Sequence, residues 1–116
     1  MSCSMNYNIV PSDNFSRELK RLSKKYPSLK QKIKDLSSEL LKNPHTGTPL
    51  GHNCYKIRIS TPDKPGGKSG GFRIITYIVF VKEIIFLLSI YDKSEVSTIK
   101  DWEIKRLIKE LNKIDL

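Results

Sequence analysis

A chain of 116 residues, 38 % of them hydrophobic, suffices for one compact domain with a modest core, is too short for two, and is too apolar to be disordered. Its longest apolar region, Ile74 to Ile90, is broken by Lys82 and Glu83 and falls short of the roughly 20 consecutive apolar residues that span a bilayer. The formal net charge of +9 points to a polyanionic partner; the excess sits in residues 1–44 (nine basic, four acidic) and 45–91 (six and two), whereas 92–116 is balanced at six and six.

The chain opens without a signal-peptide pattern. Two cysteines, Cys3 and Cys54, are too few for a disulfide framework, and the expectation is a reducing cytoplasm. "NYNIV" reads as a short first strand ended by Pro11. Phe15, Leu19, Leu22 and Tyr26 then follow at helical spacing, with Ser12 or Asp13 as N-cap. Pro27 suits the first turn of a second helix, whose stripe is Leu29, Ile33, Leu36 and Leu40. The two make a helical hairpin or one bent helix. "NPHTGTPLGHN" is turn-rich. "YKIRIS" alternates as a strand, with Tyr55, Ile57 and Ile59 on one face and Lys56, Arg58 and Ser60 on the other. "FRIITYIVF" and "IIFLLSIY", joined by Val81, Lys82 and Glu83, read as a hairpin. The last segment is a helix with the stripe Ile104, Leu107, Ile108 and Leu111, started by a capping-box-like Thr98 and Asp101. The order is β-α-α-β-β-β-α, an α+β domain over residues 1–116, with no internal repeat.

The glycine-rich "PDKPGGKSGGFR", Pro62 to Arg73, imitates a phosphate loop. The motif G-x-x-x-x-G-K-[ST] needs glycine where Pro62 stands, and it must lead from a strand into a helix. Here it joins two strands. The remaining readings are a plain flexible joint and a mobile basic loop whose Lys64 and Lys68 meet phosphates as point charges. The flanking strands favour the second. Lys56 and Arg58 share a strand face, and pairing of the flanking strands would set Arg73 beside them, about 4.5–5.5 Å away. Neither strand contains a carboxylate.

"GTPLGHNCYKIRIS", "GKSGGFRIITY", "LLSIYDKSEV" and "YPSLKQKIKDL", in this order, resemble the bacterial RelE/ParE toxin superfamily, most closely RelE-type and HigB-type toxins of type II toxin–antitoxin pairs. The resemblance runs from Phe15 to Leu111. It implies a small RelE-like fold, two N-terminal helices packed on an antiparallel sheet with a C-terminal helix, and a cognate antitoxin as partner in a hetero-oligomer. RelE-type members cleave mRNA in the ribosomal A site without a metal or cofactor, by attack of the 2′-hydroxyl on the adjacent phosphate. ParE-type members share the fold and inhibit DNA gyrase; a toxin fold without catalysis is a third option. Carried over residue by residue, the resemblance assigns catalysis to Lys56, Arg58, Arg73 and Lys93. A late Tyr or His common to ribosome-dependent members has only Tyr91 as counterpart.

The residues themselves suit that chemistry. Cleavage needs a base, an acid for the leaving 5′-oxygen and cations on the phosphate. Arg58 and Arg73 fit the last role, because a guanidinium can hold two phosphate oxygens. Lys56 is the base candidate, since like-charged neighbours favour a neutral amine. Tyr91 could stack on a base, share in proton transfer or be a half-buried strand-end aromatic. Lys24 and Lys25, within the cationic helices, are candidates for RNA phosphates alongside Lys64 and Lys68; a solvated helix face is the plainer reading. His45, His52, Cys54 and Cys3 match no zinc spacing, and Trp102 is expected to pack. The last stripe either docks an antitoxin helix or packs on the domain's own core.

Overall fold

The computed structural model describes residues 6–64 and 70–114. The elements are β1 (Asn8–Pro11), α1 (Asp13–Lys25), α2 (Leu29–Lys42), β2 (Thr48–Gly51), β3 (Cys54–Ile59), β4 (Phe72–Val79), a single 3₁₀ turn (Phe80–Lys82), β5 (Ile84–Asp92) and α3 (Asp101–Ile114). The five strands form one sheet in the order β1-β5-β4-β3-β2. β1 runs parallel to β5, while the other pairs are antiparallel. The sheet is therefore mixed rather than wholly antiparallel.

β2 is the one strand absent from the expected order. Its "TPLG" looks like turn sequence, but Pro49 is tolerated on an edge strand, where one side of the backbone needs no partner. A two-residue turn, His52 and Asn53, joins it to β3, both with positive φ (55° and 61°), as a type I′ hairpin requires. Gly47, at φ +109°, is held by close approach as well: a Cβ there would lie 2.6 Å from the Lys56 carbonyl oxygen.

Two apolar layers sandwich the sheet. On one face, Phe15 and Leu22 of α1 and Leu29, Ile33, Leu36 and Leu40 of α2 bury against Ile57, Ile59, Phe72, Ile74, Ile78 and Ile90. The stripes read from the sequence are these buried residues, with Leu19 at the margin. On the other face, Ile104, Leu107 and Leu111 of α3 cover Cys54, Ile75, Phe86, Leu88 and Tyr91. The last stripe thus packs on the domain's own core, which closes it to an incoming helix in this arrangement. Trp102 corrects another expectation, lying off the stripe at 61 % exposure. The start of α3 is also different: the Glu103 carboxylate accepts from the Lys100 backbone N–H at 3.1 Å, so the side-chain contact at this end is Glu103 to Lys100 rather than a Thr98–Asp101 box.

β5 contains a bulge. Ile75 faces Ser89 and Thr76 faces Leu87, leaving Leu88 as the extra residue. Its carbonyl accepts from Ser12 Oγ at 3.1 Å and Asn14 Nδ2 at 3.0 Å. Ser12 Oγ in turn accepts from the Phe15 N–H at 3.0 Å as the N-cap of α1. One buried hydroxyl thus caps a helix and satisfies the bulge. Ser12→Ala is expected to lower stability by about 1–2 kcal/mol, read as a shift of the urea midpoint at constant m-value; a midpoint unchanged from wild type would remove Ser12 from this role.

Candidate nucleic-acid site

Strand register assembles most of the candidate site. Arg58 of β3 faces Arg73 of β4, and Arg73 faces Tyr91 of β5. Ile57, Ile59, Phe72, Ile74 and Ile90 face the helical hairpin. By alternation Lys56, Arg58, Arg73 and Tyr91 share the opposite face, the one that carries α3. The bulge decides this for β5. It puts Leu88 and Ser89 on one face and so reverses the alternation for Tyr91 and Asp92.

Exposure grades the row. Arg58 is exposed, Lys56 and Lys93 are half-buried, and Arg73 is 4 % exposed. Arg73 Nη1 donates to the Phe72 carbonyl at 3.2 Å. Directly opposed arginines repel; water screens the exposed Arg58, which eases that cost. Lys93 extends the ladder past the end of β5, its N–H donating to the Gly71 carbonyl at 3.0 Å. Lys56 and Arg58 also line an open cleft of about 680 Å³ between β3 and α2, where Lys32 adds positive charge and Asp35 and Glu39 supply the carboxylates the strands lack.

Tyr91 is brought to the row but not to the solvent. It is 6 % exposed and packs in the layer under α3. Stacking on a nucleobase is closed to it there. Its hydroxyl is buried near the Ile99 backbone. Burial pushes the phenol above its usual pKa, with the Ile99 backbone and the Arg73 charge opposing and Glu103 adding to the rise. At neutral pH it is a protonated group, able to donate and not to act as base.

Lys64 takes a different place from the one expected of it. Its ammonium is not on a mobile loop facing solvent. It lies 3.1 Å from Asp92 Oδ1, the two side chains 8 % and 3 % exposed. It also lies 5.5 Å from the Tyr26 ring centroid and 5.8 Å from that of Phe72, within cation–π range. The neighbouring Asp63 accepts from Ser28 N at 3.1 Å and Ser28 Oγ at 2.7 Å, in the turn between α1 and α2. The approach to the glycine-rich segment is thus anchored at two successive residues. Lys68 lies outside the described residues. Lys24 and Lys25 are exposed in the last turn of α1, where cations suit the helix dipole, and Lys25 Nζ sits 5.5 Å from the Tyr26 ring.

Asp92 and its aromatic surroundings were not singled out from the sequence. The available signal is an acidic residue closing the otherwise apolar "IIFLLSIYD". Burial alone would raise its pKa. The Ser94 hydroxyl and N–H, at 2.7 and 2.9 Å, together with Lys64, outweigh that and hold the carboxyl below its usual range.

The remaining candidates are structural. Burial, and then the charge of Asp101, pushes the Cys54 thiol up to about 12, which makes it an inert packing group. His45 shares a 2.8 Å hydrogen bond with the Tyr55 hydroxyl and stacks on Phe80; His52 Nε2 lies 3.7 Å from Asp101 Oδ1. Among the described residues, no three His, Cys, Asp or Glu side chains gather as a metal site, and no helix is long and apolar enough to cross a membrane.

No protein-family model matches the chain. Solved structures do. A double-arginine variant of the Escherichia coli toxin RelE in the free state superposes with a TM-score of 0.55 at 20 % identity, over 96 % of this chain and 99 % of that one. The isolated E. coli RelE toxin gives 0.55 at 16 % identity, over 90 % and 98 %. The variant bound to an antitoxin RelBc peptide gives 0.55 at 22 % identity, over 83 % and 97 %. At these identities the likeness establishes the fold alone, and that fold is the one these RelE structures have.

The Lys64–Asp92 pair generates a pH prediction. A carboxyl with a depressed native pKa contributes stability that is fully present above its unfolded pKa, near ~3.9, and is lost as pH falls through the lower native value. Asp92→Asn leaves the Lys64 ammonium buried and unpaired, so it should cost about 3–5 kcal/mol at neutral pH. The gap from wild type should narrow as pH falls from about 4, where the unfolded carboxyl protonates, down through the lower native value. Urea unfolding across the acid range measures it; a gap constant with pH would contradict the assignment.

Proposed function

We propose that this protein is the toxin of a type II toxin–antitoxin pair and acts as a ribosome-dependent mRNA endonuclease. The observation that carries the reading is the Arg58–Arg73 pair, facing each other across β3 and β4 on a RelE-like fold, with Lys56 on the same strand face as Arg58. A fold shared by nucleases and gyrase inhibitors does not choose between them. Two arginines at paired positions of one sheet face do favour one side, because a phosphodiester anion gains a second negative charge in its pentacoordinate transition state, which cations stabilise.

In this reading Lys56 takes the proton of the 2′-hydroxyl as the O2′–P bond forms. The P–O5′ bond breaks, and the leaving oxygen takes a proton from solvent water. The products are a 2′,3′-cyclic phosphate and a 5′-hydroxyl. Arg58, exposed, meets the non-bridging phosphate oxygens directly. Arg73, nearly sealed beneath it, adds positive potential from a low-dielectric position, where a charge acts more strongly than in water. Lys93 contributes from the end of β5, and the buried Tyr91 supports Arg73 rather than touching RNA. Lys24 and Lys25 add exposed charge for ribosomal RNA. The antitoxin supplies acidic residues to the same basic face, as electrostatic complementarity favours.

Arg58→Ala is the test, since an exposed side chain can be removed without disturbing the core. Cleavage of mRNA on programmed ribosomes should fall about 10²–10³-fold at an unchanged melting temperature. Binding of the antitoxin encoded beside the gene should weaken and lose part of its salt dependence. A variant that cleaved at the native rate would make the site assignment wrong; wild-type protein that left mRNA whole but blocked gyrase would replace the nuclease reading with the ParE-like one.

A further inference from the structure

We infer that the buried Lys64–Asp92 pair is a positioning device that fixes the strand ends carrying Arg73 and Lys93. The inference rests on the reading of this face as a phosphate-cleaving site. The pair is a poor investment if stability alone is at issue. Two ions removed from water recover their desolvation only with good geometry, and apolar residues of similar volume often serve as well or better. The surroundings are apolar: Tyr26 and Phe72 stand edge to face with centroids 5.2 Å apart, and the Lys64 ammonium is within 6 Å of both rings.

What the pair does provide is directional connection. Asp92 Oδ1 is a single acceptor for Lys64 Nζ at 3.1 Å, Ser94 N at 2.9 Å and Ser94 Oγ at 2.7 Å. The Asp92 carbonyl also receives the N–H groups of Glu95 and Val96, both at 3.0 Å. Asp92 therefore closes the turn that begins with Lys93. Across the ladder it faces Phe72. Phe72 contributes its ring to the Lys64 cage and its carbonyl to Arg73 Nη1. The residue before Phe72, Gly71, accepts from the Lys93 N–H. Through two adjacent residues, one buried ammonium is tied to both Arg73 and Lys93.

The pair is neutral as a unit, so it adds little field at the phosphate. Its contribution is geometric, and geometry is costly to lose: a misplacement of about 1 Å can lower a rate about 10²-fold. Lys64 and Asp92 are positioning residues and have no contact with RNA in this account. The consequence of loosening them belongs in turnover and not in substrate binding, because exposed Arg58, Lys24 and Lys25 still hold the RNA.

The test compares wild type with Lys64→Met/Asp92→Asn, which removes both charges while Asn keeps an acceptor for Ser94. The expected result is a folded protein with KM within about twofold of wild type and kcat lowered at least about tenfold. Hydrogen exchange at the Lys93 amide should quicken in the same variant, a readout that does not depend on any enzymatic activity. Ser94→Ala, at an exposed position, is the gentler companion should the double variant fail to fold, with kcat down about threefold and KM unchanged. Native kcat in either folded variant, or Lys93 amide protection equal to wild type, overturns the inference. Wild-type protein that cleaves nothing overturns the nuclease reading instead, and the Lys93 exchange then decides the positioning claim by itself.

Discussion

One extra residue in β5 organises this domain. Leu88 has no partner on β4, and its bulge reverses the in-and-out alternation for the strand's last residues. With a regular strand, Tyr91 would face the helical hairpin and Asp92 would face α3. Arg73 would then lack its aromatic neighbour in the row, and Lys64 would be a buried cation without a counter-ion, an arrangement costly enough to keep Lys64 from its present place. The bulge is itself held by the Leu88 carbonyl, which accepts from Ser12 and Asn14. The start of α1, the phase of β5 and the composition of the cationic row are therefore one constraint.

Around that constraint the charges are distributed by depth. Arg58 and the last-turn lysines of α1 are open to water. Arg73 and Lys64 are sealed, one against the Phe72 carbonyl and the other against Asp92. The cations behind the net charge of +9 thus divide into those open to water and those buried within the fold. Arg73 and Lys64 flank the same glycine-rich segment in sequence, and neither behaves as a surface charge.

The helices and central strands were legible because each follows a single period. Leu29, Ile33, Leu36 and Leu40 had one helical solution, and all four are buried. "YKIRIS" had one strand solution, and the face it gave to Lys56 and Arg58 is the face they occupy. The opposition of Arg58 and Arg73 followed from pairing the two flanking strands. Legibility failed where long-range contacts outvoted local pattern. β2 is a strand because β3 offered it an edge, despite Pro49 and Gly51. Leu88 could not be recognised as a bulge, since "FLLSIY" is apolar on both faces and carries no phase information. Lys64 read as solvent-facing because nothing local to "PDKPGG" reveals an aspartate twenty-eight positions later. Tyr91 ends a legible strand, but its depth depends on α3, and only the packing of Ile104, Leu107 and Leu111 fixes that.

The central claim, that a bulge-phased row of cations on this fold cleaves RNA, is tested most directly by the chemistry of the ends it leaves. Purified protein would be added to ribosomes translating a defined mRNA, and the fragments' termini analysed. The account predicts cuts confined to translated codons, each leaving a 5′-hydroxyl and a 2′,3′-cyclic phosphate. Intact mRNA, or fragments bearing 5′-phosphates, would contradict it.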